Sequence, residues 1–97
     1  MYVISLKYKK EIAEIEPLIN AHNAFLERYY TDGTFIISGR KNPRTGGIII
    51  ANNIERETLN EIVKEDPFYQ NEIADYEITE FIPTKSNEEF QKYVEVI

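Results

Sequence analysis

The order in which hydrophobic spacing changes along this chain constrains its fold more than any other feature. Residues 2–8 alternate between apolar and polar positions, which predicts a strand with one apolar face. That face carries Tyr2, Ile4, Leu6 and Tyr8. From about Ile12 the spacing becomes that of a helix, with Pro17 in its first turn and Asp32-Gly33 at its end. The apolar stripe of this helix includes Leu18, Ile19, His22, Phe25, Leu26 and Tyr29.

Three more strands and a second main helix follow. The strands are expected over residues 34–39, 48–50 and 76–82. The second helix begins after Asn52 or Asn53, either of which can cap it, and it ends at Asp66-Pro67, because the residue before a proline is pushed out of the helical region. Asp66 and Pro67 also suit the cap and the first position of a short helical turn. A terminal amphipathic helix is expected over residues 87–97, with Phe90, Tyr93, Val94 and Ile97 on one side.

These elements follow one another in the order β-α-β-β-α-β, with a helix after them. With right-handed crossovers, this order gives a four-stranded antiparallel sheet that carries both main helices on one face. The predicted fold class is therefore α+β, of the ferredoxin-like type. At 97 residues the chain has room for one such domain.

The second and third strands are apolar on both faces. In the second strand Phe35 and Ile37 oppose Ile36, and the third strand is the isoleucine run 48–50. Strands of this kind need cover on both faces, but the two helices cover only one. A second copy of the sheet, packed face to face, would cover the other, and two-fold dimers are the commonest oligomers. We therefore expect a homodimer formed through the sheet faces.

Composition and charge exclude several classes of function. The chain carries 17 acidic and 11 basic residues, which argues against binding nucleic acid or an anionic membrane. It contains no cysteine, so disulfides, thiolate nucleophiles and cysteine-bound metals are excluded. No apolar run approaches the roughly 18 residues that span a bilayer, and no leader-like segment opens the chain, so we expect a cytoplasmic protein. Residues 1–50 hold seven basic and five acidic groups, which leaves room for a small anionic ligand.

Histidine is the residue type whose ordinary pKa lies nearest neutrality, and this chain has one, His22. It lies within the apolar stripe of the first helix, where an imidazole needs hydrogen-bond partners. It is either a structural histidine at the edge of the core or a general acid and base at a pocket between the helices and the sheet. Asp66 either only caps the turn at Pro67 or also orients His22, because the two main helices lie side by side in this fold. The two roles of Asp66 are compatible, since a carboxylate has two oxygens.

The loop over residues 40–47 concentrates positive charge in an acidic chain. Arg40, Lys41 and Arg44 either attract a small carboxylate, phosphate or phenolate, or are simply solvated. Ser38, beside Gly39, is a candidate hydrogen-bond donor to the same ligand, but it lacks the context of an acyl-enzyme nucleophile. No dinucleotide or phosphate-loop signature is present, so no cofactor is expected. The tyrosines interpreted as core or interface residues, rather than catalytic phenols, are Tyr29, Tyr30, Tyr69 and Tyr76.

In combination, these segments resemble the YciI-like family, whose members carry the YCII-related domain. The resemblance rests on Met1-Tyr2-Val3-Ile4, Ala21-His22-Asn23-Ala24-Phe25-Leu26, Ser38-Gly39 with Thr45-Gly46-Gly47, and Asp66-Pro67-Phe68 with Ala74-Asp75-Tyr76-Glu77-Ile78. It covers residues 1–83, so residues 84–97 are a helical extension outside it. It implies a dimeric α+β barrel of ferredoxin-like subunits, with a pocket centred on a histidine–aspartate pair at His22 and Asp66. One branch of the family includes a dehydrochlorinase that acts on chlorinated hydroxyhydroquinones.

Three functional hypotheses follow. The first is a small cofactor-free enzyme of the lyase or isomerase type, in which His22 moves a proton on a small anionic or phenolic substrate and Asp66 orients His22. In that enzyme the substrate-binding residues are Ser38, Gly39, Arg40 and Arg44. The second hypothesis is a non-catalytic ligand-binding or regulatory dimer that uses the same pocket. The third is a purely structural dimer in which His22 is a bonded interior residue.

Overall fold

The first strand lies inside a four-stranded sheet, and the remaining elements are arranged around it. The computed structural model describes residues 1–95. Its strands are β1 (Tyr2–Tyr8), β2 (Phe35–Arg40), β3 (Gly46–Ala51) and β4 (Ala74–Glu80). Its α-helices are α1 (Ile12–Ile15), α2 (Ile19–Thr31), α3 (Arg56–Val63) and α4 (Pro67–Gln70). The strand order is β2-β3-β1-β4 with every neighbouring pair antiparallel, which confirms the predicted α+β, ferredoxin-like fold.

The hydrophobic core lies between one face of the sheet and the helices. The alternation in β1 buries its apolar face, and the helices close over that face with side chains from α2 and α3. The buried apolar residues of these three elements are Tyr2, Ile4, Leu6, Phe25, Leu26, Leu59, Ile62 and Val63. Among the described residues, Asp66 is the one polar side chain that is fully buried within this core. A buried carboxylate needs several hydrogen bonds, so polar partners for Asp66 must lie inside the core.

A β-bulge in β2 changes which side chains of this strand face the helices. Phe35 pairs with Ala51 on the buried face, but the register shifts before Ile37, which pairs with Ile50. Ile37 therefore lies on the outer face, where its side chain is 58% exposed. The expectation that Phe35 and Ile37 share a face was wrong, because a bulge inserts one residue into the alternation. Its consequence is that Ser38 and Arg40, rather than Ile37, point toward the helix side of the sheet.

The Gly-Gly pair belongs to a strand rather than to the loop predicted over residues 40–47. Both glycines lie in β3, where Gly46 pairs with Lys7 and Gly47 with Leu6. A Cβ atom at Gly46 would lie 1.8 Å from the carbonyl oxygen of Leu6. Gly46 is therefore required by the close approach of β1 and β3.

The helical regions differ in detail from the spacing-based prediction. The first one is interrupted, because Pro17 lies in a 3₁₀ turn (Glu16–Leu18) between α1 and α2. The second one begins with Glu55 as its N-cap residue instead of Asn52 or Asn53. Asn53 has a positive φ of 54° and forms part of the turn before the helix. Within residues 1–95, no helix has the length and apolarity needed to cross a bilayer.

The segment after β4 is less regular than the predicted amphipathic helix over residues 87–97. It contains a six-residue 3₁₀ helix, Glu88–Tyr93, and the chain is extended again at Val94. Phe90 is 46% exposed and packs against Tyr93, with ring centroids 6.1 Å apart. A short helix that buries no apolar face gains little from forming a regular α-helix, which accounts for the difference. Ile97, which was expected on the same apolar side, lies outside the described residues.

Candidate active site

A cavity of about 410 Å³ lies between α2 and the sheet, at the end where β2 and β3 are joined. Its apolar wall contains Leu6, Ile19, Leu26, Ile49 and Phe68. Its polar wall contains His22, Asn23, Ser38, Arg40 and Arg44. A pocket of this volume with a few convergent polar groups is typical of a small-molecule site.

His22 and Asp66 meet at this cavity although they are 44 positions apart in the chain. The Nδ1 atom of His22 lies 2.8 Å from Oδ1 of Asp66. The same Oδ1 accepts the backbone N–H of Phe68 at 3.0 Å, so Asp66 also serves as the N-cap of α4. Asp66 thus both caps α4 and contacts His22, because the Asp-Pro-Phe segment turns the chain at the point where α2 passes.

Contacts with Phe68 and Asp66 hold the imidazole of His22 in one orientation. The Phe68 ring stacks on it in parallel, with centroids 4.0 Å apart and an interplanar angle of 3°. An ionised Asp66 carboxylate would only accept hydrogen bonds, and in that case Nδ1 of His22 donates to it and Nε2 of a neutral imidazole keeps its lone pair. Every fully buried side-chain nitrogen or oxygen in residues 1–95 has a hydrogen-bond partner. Within these residues Nε2 of His22 makes no hydrogen bond, so it is not fully buried. We conclude that Nε2 is accessible from the cavity that His22 lines.

Tyr76 completes the polar contacts of Asp66, and sequence reasoning missed it. Its hydroxyl donates a short hydrogen bond to Oδ2 of Asp66. Burial, followed by the charge of Asp66, raises the pKa of the Tyr76 phenol, so this hydroxyl keeps its proton and remains a donor. The alternation in β4 puts Tyr76 on the same face as Ala74 and Ile78, but its position opposite Leu6 depends on a strand register that local pattern does not give.

The polar wall of the cavity also carries positive charge, as expected from the basic residues of the loop over residues 40–47. Arg44 lines the cavity and forms an ion pair with Glu16, at 3.7 Å. Arg40 also lines it and has no acidic partner within 4.0 Å among residues 1–95. Lys41, in contrast, is not among the lining residues. An anion entering the cavity would therefore meet one cation that is free and one that is already paired.

Ser38 lies on the same wall because the bulge in β2 turns it to the helix side, and the adjacent Gly39 also borders the cavity. The Ser38 hydroxyl is engaged in a short hydrogen bond with the hydroxyl of Tyr30, which comes from the end of α2. Five of the six residues predicted as a site line this cavity, namely His22, Ser38, Gly39, Arg40 and Arg44, and the sixth, Asp66, is buried behind His22. Within the described part of the chain, no three acidic or histidine side chains are close enough to hold a metal ion.

Comparisons with known proteins identify the family of this chain and a solved structure of similar fold. The family described as the YCII-related domain matches residues 1–82. Among solved structures, the chain is similar to 5-chloro-2-hydroxyhydroquinone dehydrochlorinase (TftG) from Burkholderia phenoliruptrix AC1100, in complex with 2,5-dihydroxybenzoquinone. The TM-score is 0.73 at 16% sequence identity, over 84% of this chain and 93% of that one. No curated protein matches the chain.

Proposed function

Because this chain belongs to the YCII-related domain family, we propose that it is a small cofactor-free enzyme of the lyase or isomerase type. The observation that carries the proposal is the 2.8 Å contact between His22 Nδ1 and Asp66 Oδ1, which leaves Nε2 free beside a cavity. In this enzyme Nε2 takes a proton from the substrate and returns it to the product or to the leaving group. Asp66 holds the imidazole in the required tautomer and stabilises the imidazolium that forms.

The proposed substrate is a small ring that carries an anionic or phenolic oxygen. The cavity offers about 410 Å³, with apolar surface at Leu26, Ile49 and Phe68 and positive charge at Arg40 and Arg44. A ring would lie against the apolar wall, and its oxygen would be held by the arginines. The solved dehydrochlorinase was obtained with a dihydroxybenzoquinone, which is a ligand of this general kind.

The first test is a thermal-shift screen of small phenols and aromatic carboxylates, followed by a search for turnover of any compound that stabilises the protein. His22→Asn should keep binding the compound but lose about 10²–10⁴-fold in turnover, which is the usual contribution of a positioned base. Asp66→Asn should lose turnover as well, whereas Glu65→Gln, the neighbouring carboxylate, should not.

Binding without turnover in the unsubstituted protein would favour the second candidate, a ligand-binding or regulatory module. If no compound of this class binds, and His22→Asn changes only stability, both proposals are overturned. His22 would then be a structural residue.

The same protein is proposed to act as a homodimer through the outer face of its sheet. This face lies opposite the helices and carries four apolar side chains, which are Val3, Ile37, Ile48 and Ile50. A matching copy would remove them from water. Analytical ultracentrifugation should give twice the 11.4 kDa mass of one chain. Ile37→Lys should shift the mass toward the monomer, but Ile82→Lys, an exposed residue outside the strands, should not.

A further inference from the structure

Asp66 accepts hydrogen bonds from three different elements of the fold. His22 of α2 and the Phe68 N–H of α4 both reach Oδ1, at 2.8 and 3.0 Å. The Tyr76 hydroxyl of β4 reaches Oδ2. None of the lysines or arginines in residues 1–95 lies within 4.0 Å of this carboxylate. The negative charge of a fully buried group is therefore supported by neutral donors and by the imidazole alone.

We propose that Tyr76 is a positioning residue that keeps the His22–Asp66 pair in its basic form, with an ionised carboxylate and a neutral imidazole. The inference rests on the proposed function, since it assigns to Tyr76 the task of keeping Nε2 available for a proton. Tyr76 does not touch the cavity that holds the substrate, because it is not among the residues that line it. It acts through Asp66.

Without the phenol of Tyr76, the Asp66 carboxylate loses the hydrogen-bond donor of its Oδ2 atom. Oδ2 would then be a buried charged oxygen with no donor, since His22 and Phe68 both bond to Oδ1. The pair can reduce this penalty by binding a proton, either on the imidazole or on the carboxylate. A proton on the imidazole occupies the Nε2 lone pair. A proton on the carboxylate removes the charge that stabilises the imidazolium during the reaction, so either outcome weakens the base.

The Tyr76→Phe substitution removes one hydroxyl and replaces none of the other groups around the His22–Asp66 pair. From β1, Tyr8 packs edge-on against Phe68, and from α4, Tyr69 packs edge-on against Tyr76. On the cavity side the charged groups are Arg40 of β2 and Arg44, with Glu16 paired to Arg44. Lys9 and Asp75, which border Tyr76 on its other side, form an ion pair with each other at 3.5 Å. A change caused by removing the hydroxyl alone is therefore attributable to its bond with Asp66.

The chain has a single histidine, so its imidazole can be followed by NMR without ambiguity of assignment. The ring nitrogens of His22 are titrated by ¹⁵N–¹H correlation in the unsubstituted protein, in Tyr76→Phe and in Tyr69→Phe. Tyr69 is the matched control, because its ring contacts that of Tyr76 with centroids 5.7 Å apart while it makes no bond to Asp66. We expect Tyr76→Phe to move the midpoint of proton uptake by roughly one unit to higher pH, as follows from loss of a hydrogen bond to a charged group. Tyr69→Phe should leave the midpoint unchanged.

The outcomes separate this inference from the proposed function. Suppose that the unsubstituted protein has a neutral imidazole protonated at Nδ1, and that the midpoint of proton uptake in Tyr76→Phe equals that of the unsubstituted protein or of Tyr69→Phe. The role of Tyr76 is then overturned, while the proposed base stands. If the unsubstituted protein shows the proton at Nε2 instead, the proposed function fails first, and the inference fails with it.

A second measurement covers the case in which Tyr76→Phe does not fold. The Tyr76 hydroxyl proton of the unsubstituted protein should give a downfield, slowly exchanging signal, as a buried bond to a carboxylate requires. A rapidly exchanging hydroxyl overturns the proposal without any variant.

Discussion

Glu65 and Asp66 are neighbours in the chain, and each accepts a hydrogen bond from a tyrosine hydroxyl, but their surroundings are opposite. Glu65 accepts from Tyr29 at 2.7 Å and pairs with Arg28 at 3.5 Å, while its side chain is 46% exposed. Asp66 accepts from Tyr76 and from two nitrogen donors, and its side chain is 0% exposed. The two carboxylates therefore share a tyrosine partner, but Glu65 also has a cation and access to water, whereas Asp66 has neither.

This difference decides which carboxylate can control chemistry. Water can replace any donor that Glu65 loses, so its contacts are weak and exchangeable. Asp66 is fully buried, so each donor it loses leaves a buried charge unsupported, and the pair with His22 must respond. A buried carboxylate with a complete set of donors can thus fix the state of an imidazole, which an exposed one next to it cannot do.

The largest expected difference between the two carboxylates is in their contribution to the free energy of unfolding. Asp66→Ala removes the acceptor of His22, of the Phe68 N–H and of the Tyr76 hydroxyl, and it also removes the cap of α4. We expect a loss of about 3 kcal/mol or more in the free energy of unfolding, from several unpaired buried donors and a lost cap. Glu65→Ala should change it by less than about 1 kcal/mol. Urea unfolding of the two variants measures both, and equal losses would show that burial does not separate the two sites.

Much of this arrangement follows from the sequence, and the remainder depends on tertiary register. The order of hydrophobic periods predicted the fold, since strand and helix patterns are local properties of the chain. The helical spacing that places His22 on the core side of the first helix is local too, and so is the turn chemistry of Asp66-Pro67. These two signals, together with the side-by-side helices of the predicted fold, made His22 and Asp66 a candidate pair, and the family resemblance implied the same two residues.

Two parts of the site could not be read from local pattern. The bulge before Ile37 reverses the faces of β2 and brings Ser38 and Arg40 to the cavity. A run of apolar residues in the sequence does not indicate where such an extra residue is inserted. Tyr76 reaches Asp66 because β4 pairs with β1 in a register that sets Tyr76 opposite Leu6. Register comes from packing between distant strands, so tyrosine spacing by itself indicated only a core or interface residue.

A smaller effect extends the comparison to the two arginines of the cavity. Arg44 is already neutralised in part by Glu16, whereas Arg40 has no acidic partner within 4.0 Å among residues 1–95. An anion can bind Arg40 without displacing a carboxylate. For benzoate, the simplest aromatic carboxylate, we expect Arg40→Gln to weaken binding about fivefold, as for a partly exposed ion pair worth about 1 kcal/mol.

Glu16→Gln provides the control for this expectation. Removing the carboxylate that competes for Arg44 should tighten benzoate binding by a few-fold, and added salt should reduce the difference between the variants. Calorimetric titration at two salt concentrations measures both effects. Arg40→Gln with unchanged affinity would place the anion elsewhere.

The smallest expected effect is on stability, and it tests the exposed hydrogen bond from Tyr29 to Glu65. Partial burial, followed by the hydrogen bond to Glu65, raises the pKa of the Tyr29 phenol from 10.0 to about 12. Because the folded state holds this proton more tightly, the contribution to stability is complete below pH 10 and is lost as the pH rises toward 12. Tyr29→Phe should therefore be slightly less stable than the unsubstituted protein at pH 8, by well under about 1 kcal/mol for a pair so open to water. The difference between the two urea midpoints should close between pH 10 and pH 12, since every other tyrosine titrates in both proteins. A difference that stays constant across this range would mean that Tyr29 acts through the packing of its ring against Phe25 and Phe35, not through its bond to Glu65.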